Sequence, residues 1–511
     1  MIRIAHTPSA TLLGLQANAV TAEVTIFPAA TVEAPSRTAG AQETFDRVSA
    51  ALQACGFAVP DGRYAFNVPG PVSTPQPQLD LPLSVAILRA SGQLESSLAD
   101  RFALAGELAM DGSVRPIRGA ILIATAARNA GLEGIIVPGE NGREAAAVEG
   151  IDVRVASTLR DVVLLLRGEG DLARGSDAPA ATDASPGDDD FADIKGQEHV
   201  KRALLVAVAG GHNVALIGPP GAGKTMLAHR LPRILPPLTA SEAMQLTAMY
   251  SVSDALPPGM GTMSRRPFRN PHPTISDAGL IGGGSIPRAG EVSLAHLGVL
   301  FLDEVSEFRQ KVLEALKAAI EDRQVTLTRA QASITYPCRF MLVVAMNPCP
   351  CGHHGDSMRR CTCAPRAVQR YLRRIPAPLM DRIDLHVEVP RVRYRDLADR
   401  RPGDSTEVMR GYVLQARAVQ EARFQGRTDV STNAEMTARD LREFCAIGEG
   451  ADALLRTAIT RLGLSARAYH RVLKVARTIA DLDSAGDILT AHVSEAIQYR
   501  SLDRPFTAAQ T

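Results

Sequence analysis

Residues Gly218, Pro219, Pro220, Gly221, Ala222, Gly223, Lys224 and Thr225 satisfy the pattern G-x-x-x-x-G-K-[ST] at every fixed position. The chemistry of such a loop is phosphate capture. Its glycines let backbone N–H groups turn inward around phosphate oxygens, and the start of the following helix adds a favourable dipole. Lys224 is placed to contact the β- and γ-phosphates, and Thr225 to ligate Mg2+. The surroundings agree. The apolar run Asn213–Ile217 reads as a strand before the loop, and Met226–Arg230 as a helix after it.

A second apolar run, Val299–Leu302, delivers Asp303 and Glu304. Asp303 would bind Mg2+, and Glu304 would polarise a water for attack on the γ-phosphate. An acidic pair at that place can also cap the next helix; the phosphate loop upstream favours the hydrolytic reading. A third run, MLVVAMN, ends at Asn347. Its amide can hold the attacking water or the γ-phosphate, or simply begin the turn before Pro348. The two readings of Asn347 stand level.

Four of the seven cysteines form two C-x-C pairs, Cys349 with Cys351 and Cys361 with Cys363, separated by nine residues. Four thiolates at short spacing suit a structural, tetrahedral Zn2+. The commoner knuckle is C-x2-C, so His353 or His354 can be considered as a substitute ligand, and the plain alternative is reduced thiols in a polar loop.

These residues need a scaffold. The 511-residue chain is 45% hydrophobic and 22% charged, which predicts a folded chain of about three domains and excludes a disordered or collagen-like one. An odd cysteine count argues against a secreted disulfide framework. The first twenty residues lack a signal-peptide pattern and no long apolar run is present, so a cytoplasmic protein with no membrane partner is expected. Lys+Arg and Asp+Glu number 56 and 55, so any nucleic-acid surface must be a local patch. Trp is absent and aromatics reach only 4%, which disfavours a base-stacking platform.

The Gly/Ala/Ser/Asp-rich stretch 168–190 reads as a flexible acidic linker. Residues 1–167 before it mix helices (Glu43–Cys55, Leu83–Ser91, Ala120–Asn129) with strands (Phe102–Glu107, Gly134–Pro138) and read as an α+β domain. Residues 191–391 alternate strands and helices as a doubly wound α/β core, interrupted by the Cys-rich insertion 349–363. Residues 392–511 read as a separate helical lid.

The order of phosphate loop, FLDE, strand-tip Asn and helical lid resembles an AAA+ ATPase. The stretches RPFRNPHPTIS, GGGSIPRAGEVSLAHLGVLFLDE, NPCPCG and LMDRIDLHVEVP resemble the magnesium-chelatase-like AAA+ proteins, and among them the YifB and ComM type. That resemblance implies ATP and Mg2+ as cofactors and a homo-hexameric ring. It implies sensor 1 at Asn347, an arginine finger for the neighbouring subunit's ATP at Arg382, and sensor 2 at Arg467. It implies work on single-stranded or branched DNA, as a helicase or branch-migration motor in recombination or natural transformation, and an N-terminal domain similar to the Lon protease domain. Read without the family, Arg382 can instead pair with Asp381 or Asp384. Arg467, Arg471 and Lys474 can form a solvated helix face. Rival readings are a magnesium-chelatase-like accessory ATPase remodelling a protein complex, an ATP-dependent protease and a nucleotide-gated scaffold.

A protease is disfavoured because the segment resembling the Lon serine region, Pro77–Pro82, has no serine at the matching place and Ile121 stands where the lysine base would, while Ser84 and Ser91 have no base nearby in sequence. The stretch Thr25–Thr44 also departs from the family pattern. For DNA, three places stand out: six arginines between Arg359 and Arg374, which can equally face a neighbouring subunit; a hairpin at Val325–Thr335 with Arg329 near its tip; and Arg265, Arg266 and Arg269 with Gly282–Gly284.

Overall fold

The computed structural model describes residues 2–28, 39–69, 76–178, 190–284, 287–329, 332–356, 358–397, 403–427 and 429–500. Two compact units are present. One comprises Met1–Ala184, Thr239–Ser264 and Thr328–Thr335; the other comprises Ser185–Leu238, Arg265–Leu327 and Tyr336–Thr511.

The second unit is built on five parallel strands: β1 (Val214–Ile217), β2 (Phe268–Arg269), β3 (Val299–Leu302), β4 (Met341–Met346) and β5 (Leu385–Glu388). Their order across the sheet is β2-β3-β4-β1-β5. Every residue of β1, β3 and β4 is buried. Unbroken apolar runs are what a parallel sheet covered on both faces requires. Successive residues serve opposite faces. Val214, Leu216, Phe301 and Val343 join one core with the helices Glu198–Gly210 and Lys224–Ile234. Ala215, Ile217, Leu300 and Val344 join another with the helix Gln310–Asp322.

The C-terminal helices, expected as a separate lid, share the first of these cores through Val413, Val472 and Ile479. Their polar ties are also internal. Gln420 Nε2 donates to Ala209 O at 3.0 Å, and His212 Nε2 lies 2.8 Å from Thr478 Oγ1. Arg471 bonds Asp384 at 2.7 Å, and Lys474 Nζ donates to Ala434 O. Arg471 and Lys474, for which a solvated helix face is the alternative above, instead anchor the helix Ala466–Leu482, the first to Asp384 just before β5 and the second to Ala434 O. Burial alone would raise the Asp384 carboxyl, but Arg471, His212 and Lys474 hold it well below the usual carboxylate range. A depressed carboxylate stabilises the fold above its unfolded pKa of about 3.9 and loses that contribution only as pH falls further. Asp384→Asn is accordingly expected to cost about 3–5 kcal/mol at neutral pH, because it strands a buried cation, and the cost should shrink in acid. Urea unfolding of both proteins at pH 7 and pH 3.5 checks this.

The first unit is α+β, as expected. Arg3–Leu13, Gln16–Phe27 and Arg63–Asn67 form an antiparallel sheet, and Phe102–Leu104, Gly134–Pro138 and Asp152–Ala156 a parallel one. The helices include Ala39–Ala54, Asp80–Ala90, Ala120–Asn129 and Leu159–Arg167. The long opening hairpin was not foreseen. Pro8 interrupts the strand pattern, and it is tolerated because Arg3–Leu13 lies at the sheet edge.

Two expectations about the chain's division need correction. Residues 168–178, read as linker, pack on the first unit: Leu172 is buried, Val155 N donates to Ala173 O, and Arg143 Nε donates to Ala178 O. A few apolar and backbone anchors suffice to hold a polar segment. Residues 179–189 lie outside the described residues. The helix Ala240–Val252, read as part of the ATPase core, belongs to the first unit. Ser251 Oγ accepts from Gly119 N at 2.7 Å, and Arg118 pairs with Asp254 at 2.7 Å.

In the segment resembling the Lon serine region, Asp80 is fully buried and held by Arg47 at 2.7 and 3.0 Å. Burial raises its carboxyl pKa and Arg47 opposes that. Ile121 is buried, while the Ser84 and Ser91 hydroxyls donate to Leu81 O and Leu88 O of their own helix. No base activates either serine among the described residues. The part of Thr25–Thr44 between 29 and 38 lies outside them. No described helix is long and apolar enough to cross a membrane.

Candidate active site

The phosphate loop runs from the end of β1 into the helix Lys224–Ile234. Gly221 (φ 76°) and Gly223 (φ 87°) occupy the left-handed region, which glycine enters at no steric cost. Lys224 is 8% exposed. Its Nζ donates to Gly218 O at 2.7 Å, Pro219 O at 3.0 Å and Asn347 Oδ1 at 3.2 Å. Burial lowers its pKa, and the Asp303 and Glu304 carboxylates oppose that. Arriving phosphate would replace the carbonyls as the lysine's partner.

The Thr225 hydroxyl donates to Asp303 Oδ2 at 2.7 Å. The two groups expected to ligate Mg2+ thus face each other, and they offer oxygen donors of the kind a hard cation takes. Glu304 follows in a left-handed conformation (φ 49°), with its N–H donating to Asp303 Oδ1 at 2.9 Å. A non-glycine residue there stores of order 1–3 kcal/mol of strain, which turns the side chain out of the strand line. Asn347, at the tip of β4, meets Lys224, so the structure gives its amide a contact beyond that of a turn residue. Gln197, which sequence reasoning missed, donates from Nε2 to Ala222 O (2.9 Å) and Pro390 O (2.8 Å). A lone amide in a loop leaves no periodic signal.

Arg382 lies elsewhere. β5 runs parallel to β1 with Leu385 beside Val214 and Glu388 beside Ile217. The phosphate loop leaves the C-terminal end of β1, whereas Arg382 precedes β5, at the N-terminal end of the same parallel strands. Four strand residues, about 13 Å at roughly 3.3 Å each, separate the two levels. The guanidinium is 7% exposed and bonds Glu321, not Asp381 or Asp384. Burial and the cations of Arg467 and Arg471 lower its pKa. Arg467 is exposed at the start of its helix and stands in this same electropositive neighbourhood.

The four cysteine sulfurs all lie within 4.8 Å of one another. Cys349–Cys351, Cys349–Cys361 and Cys351–Cys361 are separated by 3.4, 3.7 and 3.6 Å. A tetrahedron with Zn–S bonds of about 2.3 Å has edges of about 3.8 Å, so the donor set fits zinc. The N–H of His354 points at Cys349 Sγ and that of Cys363 at Cys361 Sγ. The N–H groups of His353 and Thr362 help hold the Cys351 thiol down to about 5. His353 is occupied by Asp356 at 3.1 Å, and Asp356 in turn pairs with Arg391.

Among the arginines considered for DNA, Arg266 donates to Pro236 O, Pro237 O and Leu297 O, and Arg269 donates two hydrogen bonds to the Glu291 carboxylate. Both face inward. Arg374 pairs with Glu307, while Arg359, Arg360, Arg366 and Arg370 are exposed. The hairpin forms from Gln324–Arg329 and Ala332–Pro337, but the side chain of Arg329 lies outside the described residues.

Comparison with known proteins agrees with this arrangement. The profile of magnesium chelatase, subunit ChlI, matches residues 190–397, its C-terminal counterpart matches 403–500, and that of subunit ChlI of Mg-chelatase matches 28–141. YifB of Escherichia coli is 41% identical over 511 residues, covering 98% of both chains. Competence protein ComM of Haemophilus influenzae is 39% identical over 505 residues, covering 96% of both. Lon protease 2 of Bacillus subtilis is 31% identical over 156 residues, 28% of this chain and 27% of that one. A complete phosphate loop on a parallel sheet, with near full-length likeness to these relatives, makes this chain a member of the YifB and ComM family of magnesium-chelatase-like AAA+ ATPases.

Proposed function

We propose that this chain hydrolyses ATP within a cytoplasmic homo-hexameric ring and spends the energy on moving DNA, as a helicase or branch-migration motor during recombination or uptake of foreign DNA. The observation that carries the ring is the placement of Arg382 at the end of the strands opposite its own phosphate loop. From there its guanidinium serves only a nucleotide held by another subunit. Arg467, in the same neighbourhood, is assigned to that junction too. Likeness over nearly the whole length to a competence protein supports DNA as the substrate.

The roles of the residues follow. Lys224 exchanges its carbonyl partners for the β- and γ-phosphates. Thr225 and Asp303 would hold Mg2+, which when bound offsets phosphate charge. Glu304 takes the proton of the attacking water, and Asn347 fixes that water or the γ-phosphate. Arg382 of the adjoining subunit offsets charge on the transferred phosphoryl group. Cys349, Cys351, Cys361 and Cys363 would hold a structural Zn2+. Arg359, Arg360, Arg366 and Arg370 offer a patch for backbone phosphates.

ATP turnover measured with and without single-stranded or forked DNA, together with strand displacement, tests the reading. Turnover is expected to rise with DNA, and forks to be unwound or migrated. ATP hydrolysis that neither responds to DNA nor displaces strands, with no DNA binding, would instead favour an accessory ATPase acting on a protein complex.

A further inference from the structure

The cysteine cluster does not stand apart from the ATP site. Gly352, inside the first cysteine turn, has φ 80°, and a Cβ there would lie 2.5 Å from Pro220 Cδ and 3.1 Å from Pro220 Cγ. The turn closed by Gly352 N on Cys349 O therefore rests directly on the phosphate loop. The other end of the same short segment is Asn347, two residues before Cys349, whose Oδ1 accepts from Lys224 at 3.2 Å. One stretch of six residues thus touches the loop at Pro220 and at Lys224.

Between Met346 and Pro365 the described residues form no helix or strand. Among the described residues the ties of this segment are the sulfur cluster with the N–H groups that point at it, short turns and the His353–Asp356–Arg391 link. Closing such a loop costs chain entropy that scattered contacts recover poorly. Zn2+ bound by four thiolates recovers it readily, since the binding energy of a structural metal is folding energy for its loop. Metal occupancy then decides whether Gly352 stays seated on Pro220.

We infer that the four-cysteine centre is a metal-operated clamp on the phosphate loop: Zn2+ seats Gly352 against Pro220 and Asn347 against Lys224, and its loss weakens ATP binding rather than merely loosening a surface insertion. The inference rests on the ATPase reading above. It makes nucleotide affinity the quantity that the metal controls, at a site whose ligands never touch nucleotide.

The test uses the full-length protein and two readouts, zinc per chain by atomic emission and affinity for a fluorescent ATP analogue with Mg2+ in excess. About one zinc per chain is expected. Removal with a chelator, followed by transfer to Mg2+ buffer, should weaken analogue binding about tenfold, as if only a tenth of the loops remained competent. Added Zn2+ should restore it. If metal-free protein unfolds as a whole, Gly352→Ala carries the test. This variant keeps all four ligands, should keep its zinc, and should still lose affinity because its methyl group displaces Pro220. Affinity unchanged in Gly352→Ala overturns the clamp, whatever chelation does, while leaving zinc and ATP binding intact. A chain that carries no metal overturns both clamp and zinc centre. A zinc-loaded chain that binds no nucleotide overturns the ATPase reading beneath them.

Discussion

Glu304→Gln is expected to leave the nucleotide bound and its turnover lowered by about 10²–10⁴-fold, the usual contribution of a positioned general base. The substitution preserves size and keeps a hydrogen-bonding side chain in the left-handed position after β3, but it removes the group that takes the proton from water. Lys224, Thr225 and Asp303 remain, so affinity for the ATP analogue should change little. Rapid-quench hydrolysis of radiolabelled ATP, read beside analogue titration, separates the two quantities. Near-normal turnover would remove Glu304 from its role, and loss of binding would mean that its left-handed turn shapes the loop instead.

The second large effect belongs to Arg382. Its replacement by Ala should reduce turnover by roughly 10³–10⁵-fold, the range observed for loss of a charge-neutralising arginine in phosphoryl transfer. Arg382→Lys should rescue little, since an ammonium lacks the planar fork. The ion pair itself should contribute little, because the acidic partner Glu321 is about half exposed and such pairs contribute about 1 kcal/mol or less; trimming the buried arginine stem also removes some packing. A thermal melt within a few degrees of the parent, beside collapsed turnover, is the expected signature. In the isolated chain the guanidinium is stored against Glu321, so reaching a neighbour's phosphate requires exchanging that carboxylate for the nucleotide.

The parts of this site that could be read from sequence are those written locally. The phosphate loop is a fixed-spacing motif, and β1, β3 and β4 are continuous apolar runs that end in the residues of interest, Gly218, Asp303 and Asn347. The four cysteines likewise announce themselves by spacing. What was hidden depends on contacts distant in sequence. β2 is two residues long and is a strand only because β3 lies beside it. The helix Ala240–Val252 sits between the two halves of the ATPase motif, yet its allegiance is decided by Ser251 and Asp254 meeting residues 118–119. Arg382 found Glu321, sixty-one residues upstream, because Asp384 was already committed to Arg471. Arg471 and Lys474 have the spacing of a solvated face and became anchors, since periodicity marks which residues share a face but not what covers it. The seat of Gly352 on Pro220 had no sequence signature beyond a glycine.

The central claim is that ATP gripped by one subunit is cleaved with help from the next, and mixing two inactive proteins measures it most directly. Glu304→Gln chains keep Arg382 but cannot activate water; Arg382→Ala chains keep Glu304 but lend no guanidinium. Equal mixtures with ATP and Mg2+ should regain about a quarter of parental turnover, the share of junctions in a random ring that join an intact Glu304 to an intact Arg382. A mixture no more active than its components, while the chains demonstrably co-assemble, would contradict the account.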